Sequence, residues 1–136
     1  MEPSLRSEIT LIGKKAKLAS YELALLSDKD KNDALKEAAK NIGDKTQEIL
    51  EANEIDVSLA KEKNLNDALV DRLILNEERI KSISSGILQI AELENPVGKI
   101  LSSWNRPNGL NIEKVSVPLG VIGVIYESRP NVSADA

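Results

Sequence analysis

The sequence predicts an α/β chain with N-terminal helices, then a β-ribbon, then one strand of the kind that sits inside a parallel sheet. Three observations carry that class. Apolar residues recur at helical spacing from Leu5 to Ile90. The turn sequence Pro107-Asn108-Gly109 then separates two segments of strand character. Last, Val121 to Ile125 has no polar residue and no alternation, which suits a strand covered on both faces. The class is incomplete, because one parallel strand cannot make a parallel sheet.

The helices follow in order. Over residues 4–26 the stripe Leu5, Ile9, Ile12, Ala16, Ala19, Leu23 and Leu26 marks one face, and Lys14, Lys15 and Lys17 lie on the solvated side. Ser27-Asp28-Lys29-Asp30 reads as a helix start with an acid three residues after the cap. The stripe Ala34, Leu35, Ala38, Ala39 and Ile42 follows, Gly43 stops it, and Asp44 recaps with Gln47 at the third position. Ile49, Leu50 and Ile55 continue the pattern, with Asn53 and Asp56 near its end in surface or capping roles. Residues 61–66 are polar and end that helix. Ala68 to Leu75 is short and mostly apolar, and its adjacent Asp71 and Arg72 point in different directions toward separate packing partners. Asn76 caps the next helix, Glu77 and Glu78 fill its first turn, and Ile80, Ile83, Ile87 and Ile90 form its stripe up to Pro96.

The pattern then changes to strands over 99–105 and 110–117, a ribbon that is not stable alone and needs another sheet or subunit. Trp104, the sole tryptophan, is an anchor on that ribbon or a packed side chain. Gly120 and Gly123 flank and interrupt the apolar run, where a backbone or ligand comes close. Polarity then switches at once to Tyr126-Glu127-Ser128-Arg129, and Pro130 opens a helix. In an open α/β sheet a ligand sits beyond the carboxyl end of such a strand. The loop 126–131, a helix N-terminus and the forked Arg129 cation would together make an anion site. An ion pair between Glu127 and Arg129 across the loop explains the same residues about as well.

Composition narrows the classes further. The 136 residues suit one domain, and aromatics at 2% leave an aliphatic core. A net charge of −4 argues against a nucleic-acid surface. With no cysteine and no histidine, disulfides, thiolate metal sites and imidazole general bases are all excluded within these residues, and no metal site is expected. No run has the length of a membrane span and no signal peptide opens the chain, so a cytoplasmic location without membrane contact is expected. Asn131-Val132-Ser133 matches a glycosylation acceptor only formally.

Four stretches carry a resemblance. Pro-Leu-Gly-Val-Ile-Gly-Val-Ile-Tyr-Glu-Ser-Arg-Pro-Asn-Val at 118–132 resembles the signature of the γ-glutamyl phosphate reductases (glutamate-5-semialdehyde dehydrogenases), within the aldehyde dehydrogenase superfamily. Glu51-Ala52-Asn53 with Asp56, Asp71-Arg72-Leu73 and Pro96-Val97-Gly98-Lys99 resemble the same family in the same order. The resemblance covers essentially the whole chain but only the front part of the family.

The resemblance implies a Rossmann-like, aldehyde dehydrogenase-like fold. Residues 1–97 would be the helical part of the cofactor-binding domain, 98–117 an oligomerisation-type ribbon, and 118–136 the first strand, loop and helix start of the dinucleotide-binding sheet. It implies an NADPH-dependent reduction of L-glutamyl 5-phosphate to glutamate 5-semialdehyde plus phosphate, a step of proline biosynthesis. The cysteine that forms the thioacyl intermediate would lie outside this chain, so the piece alone is expected to be inactive. The superfamily asparagine, an oxyanion donor, falls opposite Arg129 without a gap and opposite Asn131 with a two-residue shift. Arg129 is therefore expected at an anion, Asn131 as oxyanion support, Ser128 and Arg129 at the substrate, and Ile125, Tyr126 and Glu127 at the cofactor. A homo-oligomer and association with glutamate 5-kinase are further implications. The competing expectation is a non-catalytic interaction module that completes its sheet on a partner. The chain stops a few residues into the helix after the apolar strand, so the sheet's partners would come from residues beyond Ala136 or from another chain, unless the piece is artificial.

Overall fold

The structure, a computed structural model, describes residues 4–136. Its elements are α1 (Leu5–Leu25), α2 (Asp28–Asp44), α3 (Thr46–Glu62), α4 (Asp67–Leu73), α5 (Glu77–Glu92), β1 (Ile100–Asn105), β2 (Asn111–Val115) and α6 (Val132–Asp135). It divides into two compact units. One holds the described residues up to Asp28 together with Glu94–Gly123, and the other holds Lys29–Leu93 with Val124–Ala136.

In the first unit Ser4 caps α1, its hydroxyl oxygen accepting from the Ser7 N–H at 3.4 Å. The predicted apolar stripe is helical, yet no residue of α1 is buried. Leu5, Ile9 and Ile12 all keep more than half of their surface in solvent. Among the described residues nothing covers the stripe. The ribbon forms as expected: β1 and β2 run antiparallel, with Trp104 opposite Ile112 and Asn105 opposite Asn111. Gly109, at φ 84°, supplies the left-handed residue of the connecting turn, and its N–H reaches the Arg106 carbonyl at 2.9 Å. Ser116 closes the open end. It exchanges backbone bonds with Gly98 and Lys99, and its hydroxyl donates to the Pro96 carbonyl while accepting from the Lys99 N–H. The register slips between Ile100 and Ser102, an irregularity at Leu101.

The apolar strand expected at 121–125 finds no neighbour. Among the described residues the sheet is β1–β2 alone, and residues 117–128 make no backbone–backbone hydrogen bond. A parallel strand exists only against other strands. Leu119 and Ile125 consequently stand almost wholly in solvent.

The second unit is where apolar surface is removed from water. The face of α3 reads Leu50, Asn53, Val57 and Ala60, and α5 contributes Ile80, Ile83, Ile87 and Ala91. Ile80 is the most deeply buried of them, 1% exposed, and Ala39, Ala60, Val70 and Ala91 are the other buried apolar residues among those described. Ile90, expected on the α5 stripe, faces solvent, and Ala91 takes the inner position instead. Gly43 does not end α2, which runs on through Asp44 without a left-handed residue. Asp44 does not recap. The Thr46 hydroxyl donates to the Gly43 carbonyl at 2.7 Å, and backbone bonds Lys45 to Asn41 and Ile49 to Lys45 keep α2 and α3 almost continuous. Asn66 and Asn76 cap α4 and α5, accepting from Leu69 and Arg79 at 2.9 and 2.7 Å.

One polar residue sits inside this core. Asn53, expected at the surface, is 6% exposed. Its amide donates to the Leu73 carbonyl at 2.9 Å, and its carbonyl oxygen accepts from the Leu75 N–H at 2.7 Å. It thereby ties α3 to the segment between α4 and α5. Removing it strands two backbone groups where water cannot easily replace it. We expect Asn53→Ala to lower unfolding stability by about 2–4 kcal/mol, measured by urea denaturation. A change below about 0.5 kcal/mol, the usual surface value, would show that the clamp is dispensable.

Candidate functional site

The loop that sequence reasoning singled out lies in the second unit from Val124 onward. Ser128 adopts φ 52°, a left-handed conformation uncommon outside glycine, and so turns the chain sharply before Pro130. A turn from Arg129 to Val132 follows, the Val132 N–H reaching the Arg129 carbonyl at 3.1 Å. α6 is then a single turn, Val132–Asp135, with no side-chain cap at Asn131.

Each predicted residue has a definite place. Ile125 projects fully into solvent. Tyr126 bonds through its hydroxyl to the Ser133 hydroxyl at 2.6 Å, bracing the loop against α6. Glu127 and Arg129 are exposed and no ion pair joins them, so pairing does not explain the two charges. Ser128 and Asn131 are half-buried. The Asn131 amide donates to the Asp135 carboxylate at 2.7 Å. The loop thus groups Ser128, Arg129 and Asn131 by sequence proximity, while Ile125 points its side chain away into solvent.

Asn131 also lines a cleft of about 370 Å³ whose other wall is the α4–α5 corner. Asp71, Arg72, Ile74 and Leu75 come from that corner, Arg79 and Ser82 from α5, and Pro130, Asn131 and Asp135 from the loop and α6. Arg79 is committed to structure. Its guanidinium donates to the Asp71 and Ile74 carbonyls at 2.8 and 2.5 Å and stands 3.7 Å from the Asp71 carboxylate. The Arg72 side chain makes no hydrogen bond or ion pair among the described residues. Sequence reasoning gave Asp71 and Arg72 packing roles and overlooked Arg79 as a staple. The available signal was a polar Asn53 within an apolar stripe, which marks a buried backbone contact.

The clearest displacement of titration lies elsewhere. On the solvent face of α2, the Lys29 ammonium hydrogen-bonds the Asp33 carboxylate, holding that carboxyl below its ordinary range and raising the lysine. Among the described residues no cluster of three or more potential ligands could hold a metal ion, and no helix is long and apolar enough to cross a membrane.

Comparison with known proteins now bears on the site. No protein-family model matches the chain. A γ-glutamyl phosphate reductase of Bacillus anthracis is 49% identical over 130 residues, 96% of this chain and 31% of that protein. One from Bacillus cereus is 48% identical over the same length. The chain is homologous to an N-terminal portion of γ-glutamyl phosphate reductase. Solved γ-glutamyl phosphate reductases agree. That of Thermotoga maritima superposes with a TM-score of 0.84 at 44% identity, over 89% of this chain and 29% of its own. That of Saccharomyces cerevisiae gives 0.87 at 35% identity, over 98% and 33%. The chain thus spans about a third of the length of the γ-glutamyl phosphate reductases it matches, and its helices and two-stranded sheet are part of their fold.

The Tyr126–Ser133 bond yields a direct test. A single hydrogen bond contributes about 0.5–1.5 kcal/mol net. Tyr126→Phe is therefore expected to speed amide hydrogen exchange over 127–133 by roughly 2- to 12-fold, with α3 and α5 unchanged. Unaltered exchange in the loop would mean that the hydroxyl contact does not hold it.

Proposed function

We propose that this chain forms part of a reductase that converts L-glutamyl 5-phosphate to glutamate 5-semialdehyde and phosphate. The observation that supports this is the 49% identity to a γ-glutamyl phosphate reductase over 96% of the chain. These residues contain no cysteine, so the thiolate that displaces phosphate and forms the thioacyl enzyme would be supplied from outside them. Arg129, exposed and without an ion-pair partner, would meet the departing phosphate. Ser128 offers a hydroxyl to the same group. Asn131 supports the oxyanion by turning its amide from Asp135 to the reacting carbonyl oxygen.

NADPH fits the segment before the loop. There the unpaired backbone of 125–127 offers donors and acceptors for an amide-bearing ring, and the exposed Ile125 side chain offers apolar surface. When bound, NADPH supplies the hydride. Ile125, Tyr126 and Glu127 would hold its nicotinamide end, and Tyr126, braced on Ser133, would keep that backbone in place. In this reading residues 1–97 serve the cofactor-binding domain, 98–117 join subunits of a homo-oligomer, and 118–136 begin the dinucleotide-binding sheet. The acyl phosphate is labile, which favours supply by an associated glutamate 5-kinase in the cytoplasm.

One observation favours a second reading. The unpaired apolar backbone of 117–128 could add to a partner's sheet without any chemistry, as an interaction module does. Kinetics separate the two. In the full-length polypeptide that carries this chain, Arg129→Ala is expected to lower kcat/KM for L-glutamyl 5-phosphate about 10- to 100-fold, the worth of one charged hydrogen-bonded contact. Unchanged kcat/KM would remove Arg129 from the anion site, and a full-length protein with no reductase activity would favour the module.

A further inference from the structure

We infer that Asp71 and Arg72 read the α-ammonium and α-carboxylate of the γ-glutamyl substrate in the cleft that Asn131 lines. The inference rests on the reductase reading and adds to it the groups that select the amino-acid end of the substrate.

Four observations converge on this pair. The cleft holds about 370 Å³, within the range of small-molecule sites and ample for an amino acid. Its charges balance: Asp71 and Asp135 against Arg72 and Arg79. A site for a bare phosphate would carry excess positive charge, whereas a zwitterion needs both signs. The two arginines differ in availability. Arg79 is spent on the Asp71 and Ile74 carbonyls, whereas Arg72 has no partner among the described residues and leaves its planar fork open to a carboxylate. Asp71 is only loosely engaged, 3.7 Å from Arg79, and accepts further donors.

The far wall gives the pair its direction. Asn131 and Pro130 lie across the cleft from the α4–α5 corner. A γ-glutamyl chain held by its α-carbon at Asp71 and Arg72 extends its acyl end toward the loop that carries Arg129 and Asn131. The amino-acid head and the reacting carbonyl are then recognised by separate segments of this unit.

The test uses the full-length enzyme run in the oxidative direction, with phosphate, NADP and three aldehydes. L-glutamate 5-semialdehyde carries both head groups, 4-aminobutanal lacks the carboxylate, and 5-oxopentanoate lacks the ammonium. Arg72→Ala is expected to lower kcat/KM for the semialdehyde about 10- to 100-fold and to leave 4-aminobutanal within about threefold. Asp71→Asn should do the same against 5-oxopentanoate. Arg72→Lys should recover part of the loss, since it keeps the charge without the fork. Equal losses on all three aldehydes would assign the pair a structural role and overturn the inference, as would no loss at all. A wild-type enzyme inactive on the semialdehyde would overturn the reductase reading as well, so the two failures are distinguishable.

Discussion

The second unit depends on one buried amide. Asn53 occupies an apolar position of α3 and gives its donor and its acceptor to Leu73 and Leu75. A leucine there would fill the space but leave both backbone groups unpaired, at about 1–3 kcal/mol for each stranded group. The amide instead fixes the path of the chain between α4 and α5. Arg79 staples the same corner from the other side, through the Asp71 and Ile74 carbonyls. Two independent side chains therefore hold the short segment that forms one wall of the cleft. The Ser84 hydroxyl, bonded to the Ala39 carbonyl at 3.0 Å, fixes α5 to α2 behind that wall. Polar contacts to backbone, rather than apolar mass, set the geometry of this region.

Apolar mass is indeed limited. Among the described residues Ile80 is the one large side chain almost completely withdrawn from water, and the other buried hydrophobic residues are small. Its burial contributes about 1.5–3 kcal/mol, of the same order as the Asn53 clamp. The first unit holds no comparable core. α1 runs for 21 residues without one buried side chain, and helices in proteins owe most of their stability to packing of one face. The ribbon has an equally open surface, with Ile100, Leu101 and Trp104 about half exposed. The γ-glutamyl phosphate reductases matched by this chain are about three times its length. Such faces are what a larger fold would cover.

This division explains what was legible in the sequence. Periodicity reports helices, and it located α1, α2, α3 and α5 closely. Turn chemistry at Pro107-Asn108-Gly109 reported the ribbon, because Gly109 supplies the left-handed conformation that the turn requires. The asparagine cap at 76 was similarly local, whereas Asn66, read as part of a polar helix end, turned out to cap α4. The Gly43 stop failed because a glycine marks a helix end only when the chain turns left-handed there, and here the ladder carries on. The segment 121–125 stays unpaired for another reason: its residues have strand character, but pairing is a property of neighbours, and none lies among the described residues. Asn53 and Arg79 act over 20 and 8 residues along the chain. No local pattern announces such contacts, apart from a polar residue interrupting an apolar stripe.

The candidate site divides along the same line. The loop 126–131 was found because its polarity changes abruptly after an apolar run. The opposing wall was not, because adjacent Asp71 and Arg72 look like ordinary surface charges until the corner is folded. What separates Arg72 from Arg79 is not residue type or exposure but commitment. A guanidinium that donates to two carbonyls is bound to the scaffold, and its charge is partly answered by Asp71. A guanidinium seven residues earlier, on the same cleft and without a partner, keeps its donors available. Recognition of a carboxylate would need an unanswered cation of this kind. The folded corner uses one arginine to hold the backbone and leaves the other open.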